Sequence, residues 1–238
     1  SQGLIEGGVD FLLIETSQDP LNLKSALIGI DQTFENIGFS IPIAIQATIE
    51  SMGTTLAGQD IESFYETIKH RDLLWVGINC ATGPEFMTDH IKTLAEISKF
   101  PVSCVPNAGL PDENGLYSES PERMSSVLQR FLKERWINVV GGCCGTTPAH
   151  IKEIASQASI QTPRNIILDT DTKISGLTTV TVNKDTSPVL IGERLNVLGS
   201  RKFKRLISEG KIEEAAEIGR DQIEWGAKVL DNCLQEPE

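Results

Sequence analysis

LLWVGINCATGP, residues 73–84, is the stretch on which the fold turns. Its first part, Leu73–Asn79, is apolar almost without a break, the mark of a strand buried on both faces of a parallel sheet. The run ends on Asn79 and Cys80, and Thr82-Gly83-Pro84 then offer a loose capping oxygen and a proline suited to a first helical turn. Four more runs follow the same pattern: Phe11–Glu15, Pro42–Ala47, Val102–Pro106 and Ile137–Gly141. They recur at roughly thirty-residue intervals, about the length of one strand–helix unit.

The intervening segments are spaced as helices. Ile91, Leu94 and Ile97 share one face, as do Met124, Val127, Leu128 and Phe131. Asp19-Pro20, Ser120-Pro121 and Thr147-Pro148 each pair a capping oxygen with a proline at the first helical position, and Asp60 caps the remaining unit. Ser1 to Gly8 read as the end of a helix leading into a strand. Strict alternation of strand and helix predicts an α/β fold with a parallel sheet. No GxGxxG follows the first strand, which removes the main cue for a dinucleotide-binding sheet. Polar and cysteine residues instead close nearly every strand: Glu15, Gln46, Asn79-Cys80, Asn107 and Cys143-Cys144. Strand ends that carry chemistry are the habit of a (β/α)8 barrel. About five units fall short of closing one, so residues 1–157 are expected to form a partial barrel that lacks about three leading units.

The 238 residues carry a net charge of −12, which argues against nucleic acid or an anionic membrane as partner. No apolar run approaches the roughly 18 residues of a membrane span, and no signal peptide opens the chain. Five cysteines, odd in number and sparse, point to a reducing compartment such as the cytoplasm, with metal or catalytic roles preferred over disulfides. Residues 158–188 hold prolines, Thr-Asp pairs and the β-prone run Thr178–Val182, and read as a linker with some extended structure. From residue 189 a new strand–helix pattern begins. A strand at Val189–Ile191 leads through Gly192-Glu193-Arg194-Leu195-Asn196 to a helix near Ser200; a second helix, Ile212 to Trp225, stops at Gly226 before the strand Val229-Leu230-Asp231.

Cys143 and Cys144 sit in a glycine frame, Gly141-Gly142-Cys-Cys-Gly145, whose freedom would let both thiols face one way. Cys80 closes a different strand. Three converging thiolates would give a tetrahedral zinc one open position, the arrangement of a catalytic site. From the residues alone, buried core thiols are as good a reading as metal ligands. A redox pair is disfavoured, because adjacent cysteines close a strained ring and the C-x-x-C spacing is absent. Cys104 and Cys233 read as core. Of the three histidines, His90 and His150 are expected near helix starts on the surface.

The strings GINCATGP (77–84) and VVGGCCGTTP (139–148) resemble the homocysteine S-methyltransferase family, and the likeness extends over residues 8–157 through LLIETSQD (12–19) and PNAGLP around Asn107. The resemblance implies a (β/α)8 barrel, homocysteine as ligand and zinc held by Cys80, Cys143 and Cys144. It also implies that Glu15 receives the substrate's ammonium and that Asn107 contacts the substrate. The bland alternative for Glu15 is a carboxylate at a helix start with no ligand. Downstream, VLIGERLNVLGSRKFKRLI (189–207) is similar to the opening of the pterin-binding barrel of cobalamin-dependent methionine synthases. That likeness implies a second barrel beginning at residue 189, with Asn196, Gly199, Ser200, Arg201 and Asp231 as folate contacts. Against it, Ser200 would merely cap a helix, and Lys202, Lys204 and Arg205 read as a solvated basic face. Relatives often carry Asp-x-Asn after the strand's leucine, whereas here Asn232 follows Asp231 directly. Taken together, the likenesses imply methyl transfer from methylcobalamin to homocysteine, with the corrinoid held by a cobalamin-binding module outside this chain and remethylated by 5-methyltetrahydrofolate, which leaves as tetrahydrofolate. The rival expectations are a cobalamin-independent enzyme using betaine or S-methylmethionine, and a catalytically silent fragment.

Overall fold

The structure, a computed structural model, describes residues 1–235. A short helix α1 (Gln2–Glu6) precedes five strand–helix units: β1 (Leu12–Ser17), α2 (Pro20–Ile37), β2 (Ile43–Ala47), α3 (Ile61–Ile68), β3 (Trp75–Asn79), α4 (Thr88–Ile97), β4 (Val102–Val105), α5 (Pro121–Lys133), β5 (Val139–Val140) and α6 (Pro148–Ala158). The strands form one sheet in the order β1-β2-β3-β4-β5, every neighbouring pair parallel. All five apolar runs are therefore strands of one sheet, in chain order. β1 and β5 are its two edges, so the sheet is open, as in a partial barrel.

Local chemistry explains the helix starts. The Asp19 carboxylate accepts from the N–H groups of Leu21 and Asn22, Asp60 from Ser63, and the Ser120 hydroxyl from Arg123. Pro84 is the exception. Its carbonyl accepts from Met87 N–H at 3.1 Å to make a turn, and α4 begins only at Thr88. His150 stands in the first turn of α6 as expected, but it is buried rather than on the surface. It is 6% exposed, its Nδ1 accepts from Thr147 N–H at 3.2 Å, and its Nε2 bonds the Glu119 carbonyl at 2.9 Å. The core gathers Leu23 and Leu27 of α2, Phe64 and Ile68 of α3, Ile91 and Leu94 of α4, and Met124, Leu128 and Phe131 of α5 around the strand residues.

After α6 the chain stays against the first unit. Arg164, 5% exposed, donates to the carbonyls of Ala95, Ser98 and Phe100, closing the C-terminal end of α4. Strands β6 (Thr172–Ser175) and β7 (Thr179–Val182) pair as a hairpin. The Gly176 carbonyl at its tip accepts from Gln59 Nε2 at 2.8 Å and Ser63 Oγ at 2.7 Å. The expected linker is thus shared out: Ile174–Thr179 belongs to the first compact unit with residues 1–170, and Asp171–Lys173 to the second with residues from Val180 onward.

The second unit holds β8 (Ile191–Asn196), α7 (Arg201–Ser208), α8 (Ile212–Glu224) and β9 (Val229–Cys233). β8 and β9 are parallel neighbours. β8 runs on through Gly192–Asn196, beyond the short strand expected at Val189–Ile191. The register shifts between Gly192 and Leu195, where the Gln222 carboxamide oxygen accepts from Arg194 N–H at 2.8 Å and replaces a missing ladder bond. Its core is Val197, Phe203, Leu206, Ala215 and Ile218.

Candidate metal centre

The C-terminal ends of β3, β4 and β5 build the site. Cys80 follows β3, Cys143 and Cys144 follow β5, and β4 lies between them. Two strand spacings separate β3 from β5 by about 10 Å, so the thiols must lean inward across the end of β4 to meet. The segment after β4 makes them do so. Val105 O accepts from Cys80 N at 3.2 Å, Pro106 O from Cys143 N at 2.7 Å, and Ala108 N donates to Cys144 O at 2.9 Å. Asn107, 3% exposed, takes the Cys144 N–H on its carboxamide oxygen at 3.1 Å. Cys80 has φ +62° and Ala81 φ +54°, a left-handed turn that non-glycine residues keep only where the surroundings over-determine it.

The glycine frame is needed sterically. A Cβ on Gly142 would lie 2.4 Å from the Thr146 methyl, whose hydroxyl holds the Cys143 carbonyl at 2.7 Å. Gly145 has φ +77°, and a Cβ there would sit 2.2 Å from the Tyr117 ring.

The result is three free thiols in one triangle. Cys80 Sγ lies 3.8 Å from Cys144 Sγ, Cys143 Sγ lies 3.9 Å from Cys144 Sγ, and all three fall within 4.8 Å of one another. Tetrahedral Zn–S bonds of about 2.3 Å place sulfurs about 3.8 Å apart, so the donor set fits zinc. Burial first, and the Cys80 charge second, push the Cys143 thiol up to about 11. A thiol so placed stays protonated at neutral pH unless a cation joins it. Asn79, 1% exposed, directs its Nδ2 at Cys143 Sγ from 3.9 Å.

Residues 1–158 match the family described as homocysteine S-methyltransferase. The chain belongs to the homocysteine S-methyltransferase family. Among solved structures it is similar to the homocysteine methyltransferase MmuM from Escherichia coli in three forms. The oxidised form matches with TM-score 0.50 at 19% identity, over 66% of this chain and 48% of that one. The apo form gives 0.47 at 19%, over 66% and 52%, and the metallated form 0.48 at 20%, over 66% and 48%. This chain spans about half the length of those structures. At such identity the likeness speaks for the fold alone, a parallel α/β sheet of the homocysteine S-methyltransferase kind.

Within that family member, the structure brings Cys80, Cys143, Cys144 and Asn107 together. Glu15 sits on edge strand β1 with its side chain in the open, not buried as a lone strand-end carboxylate would be. It lines a groove of about 270 Å³ with Thr16, Gln18, Asp19 and Asn22. Cys104 is fully buried core, its thiol raised by burial, while Cys233 is only half-buried. Sequence reasoning placed Asn79 at a strand end without giving it a role, and missed Tyr117 and Glu119. Glu119 lines a groove of about 380 Å³ with Gly83, Phe86, Gly109, Leu110 and Arg123, and burial holds its carboxyl above the usual range while Arg123 opposes the shift. Only Asn79 had a signal, its place just before Cys80.

In the second unit, Gly199, Ser200 and Arg201 line a groove of about 550 Å³ together with Arg194, Asp221 and Trp225. Asn196 and Asp231 do not line it. The Asn196 carboxamide oxygen accepts from the N–H of Leu198 and Gly199, and Ser200 Oγ caps α7 by accepting from Phe203 N–H at 3.2 Å. Asp231 and Asn232 are both exposed on β9. No helix among the described residues is long and apolar enough to cross a membrane.

Proposed function

We propose that this chain is the thiol-binding part of a methionine synthase, in which homocysteine accepts a methyl group from methylcobalamin. The observation that carries the reading is the sulfur triangle, with edges of 3.8 and 3.9 Å contributed by two distant parts of the chain. Zinc held by Cys80, Cys143 and Cys144 would supply the positive charge that lets the substrate thiol shed its proton near neutral pH. Asn107 keeps Cys144 in place by accepting the Cys144 N–H on its carboxamide oxygen, and the left-handed turn at Cys80 turns the third sulfur inward. Glu15 would receive the ammonium of homocysteine, its open carboxylate facing the groove beside β1. In the transfer, the homocysteine sulfur bonds the methyl carbon while that carbon's bond to the donor breaks and its electron pair stays with the donor. The GERLNVLGSRKF string supports methylcobalamin as donor, recharged from 5-methyltetrahydrofolate at a folate site that the second unit begins, with Asn196, Gly199, Ser200, Arg201 and Asp231 as its candidate contacts. Free thiols at this centre suit a reducing compartment, the cytoplasm.

Metal analysis of the reduced, purified chain tests the central claim. A single zinc is expected, lost in Cys144→Ala, and homocysteine binding should release a proton measurable by calorimetry in buffers of different ionisation heat. A folded, reduced chain that retains no zinc, or retains it equally well as Cys144→Ala, overturns the reading. Turnover of the full-length enzyme with methylcobalamin against S-methylmethionine or betaine decides the donor.

A further inference from the structure

The ligand triangle does not stand alone: the Asn79 carboxamide ties it to the far edge of the site. Its Oδ1 accepts from Thr16 N–H at 2.9 Å and its Nδ2 donates to Thr16 Oγ1 at 2.9 Å. The same Nδ2 faces Cys143 Sγ at 3.9 Å, and the Asn79 carbonyl is held by Thr48 Oγ1 at 2.9 Å. One nearly fully buried amide therefore spends both of its N–H groups, one on the end of β1, two strands away, and one on a ligand sulfur. Thr16 is a β-branched residue at φ +56°, a conformation such residues adopt only under constraint. Two bonds from a single carboxamide supply that constraint. Thr16 directly follows Glu15.

We infer that Asn79 is a positioning residue with two separable duties: its N–H stabilises the Cys143 sulfur as a ligand, and its clamp on Thr16 fixes where the Glu15 carboxylate stands relative to the metal. An N–H aimed at a thiolate is a charge-assisted bond, and outer-shell partners of this kind hold ligands in orientation and tune the metal they carry. The second duty would make Asn79 a ruler. The span from sulfur ligand to ammonium receiver would match homocysteine, while cysteine, one methylene shorter, could not reach both. This inference rests on the zinc and Glu15 readings above.

Substitution separates the duties. Asn79→Asp keeps an oxygen for Thr16 N–H and lets the Thr16 hydroxyl donate to the second carboxylate oxygen, so the clamp survives. It removes the N–H from Cys143 and puts an anion beside it. Thr16→Gly does the reverse: it removes the hydroxyl that Asn79 Nδ2 binds and frees the backbone, so the clamp keeps only its bond to the residue 16 N–H, while the bond to sulfur is untouched. In Co(II)-substituted chain, Asn79→Asp should shift the sulfur-to-cobalt charge-transfer band, and chelator competition should show metal affinity down about 10- to 100-fold. Thr16→Gly should leave band and affinity near wild type while lowering the preference of the metal-loaded chain for homocysteine over cysteine, read by calorimetry. Circular dichroism confirms folding of each variant, and Thr16→Gly keeps the second duty testable should Asn79→Asp fail to fold. Unchanged band and affinity in Asn79→Asp overturn the first duty, and unchanged thiol preference in Thr16→Gly overturns the second. Wild-type chain that binds no metal overturns the zinc reading and this inference together. Loss of homocysteine binding in Thr16→Gly but not in Glu15→Gln would instead remove Glu15 as the ammonium receiver.

Discussion

At the scale of residues, the site was legible where chemistry depends on residue type and hidden where it depends on placement. Thiols are rare and their chemistry narrow, so Cys80, Cys143 and Cys144 stood out in the sequence, and the glycines around the pair announced a backbone free to bend. The structure adds crowding, concrete at Gly145, where an added Cβ would meet the Tyr117 ring at 2.2 Å and φ is +77°. Gly145→Ala should therefore cost about 1–3 kcal/mol of stability and weaken zinc binding, measured by denaturant unfolding and metal titration. Wild-type values for both would show that the ring moves aside freely. Asn79 gave only its place at a strand end, and His150 and Tyr117 gave no comparable signal, because an amide, an imidazole or a phenol has many uses and only the fold selects one. Glu15 is legible in type but not in setting: it ends an apolar run, and its side chain stands exposed on the edge strand β1. The Cys143 thiol adds a pH dependence whose sign is fixed. Its acidity is weakened by burial, so the metal-free fold favours the protonated form. That contribution to stability is complete below the ordinary thiol range and lost as pH climbs toward about 11. Zinc must displace the same proton, so its apparent affinity should rise between about pH 6 and about pH 8, with protons released on binding. A flat profile in a pH-controlled chelator competition would contradict this.

Elements were read well because their signals are local. Asp19, Asp60, Ser120 and Thr147 cap helices that begin one residue later, and the cap bonds span only two or three positions. Pro84 misled for a local reason too: a proline suits a first helical turn and a β-turn equally, and here the turn wins. The hairpin of β6 and β7 was half visible, since Thr178–Val182 is β-prone, but its docking on α3 depends on Gln59 and Ser63, far away in sequence. Arg164 is the strongest case of long-range control over an element. Its guanidinium meets Ala95 O at 2.9 Å, Ser98 O at 2.6 Å and Phe100 O at 3.2 Å, more than sixty positions upstream, and so closes the negative end of α4. Arg164→Met would keep most of the buried stem and strip the donors from three carbonyls. The expected loss is about 2–4 kcal/mol in urea unfolding, with the α4 amides losing hydrogen-exchange protection first. A smaller loss spread evenly over the first unit would mean that the stem, not the cap, matters.

For the whole molecule, alternation of strand and helix predicted a parallel sheet, but not how the chain divides. Composition marked 158–188 as a linker, whereas the burial of Arg164 and the hydrogen bonds to the hairpin tip place most of that stretch with the first unit. The two hydrophobic cores share no residue, and the second is built on five buried side chains where the first has many. A core that small offsets little conformational entropy. The second unit should therefore unfold at lower temperature or denaturant than the first. Zinc provides the test, because all three of its proposed ligands lie in the first unit. A ligand that binds only the native form stabilises it by about 4 kcal/mol at a thousand times its dissociation constant. Calorimetry with and without zinc should therefore show the upper transition moving up and the lower one standing still, and Cys144→Ala should abolish the movement. The second unit's own reporter, the exposed Trp225, should follow the lower transition by fluorescence. If both transitions rise together, stability passes between the units, and the division of the chain into separately folding parts is wrong. If neither rises although zinc is bound, the ligand triangle already exists in the unfolded ensemble, and the β4 platform that gathers the sulfurs loses its role.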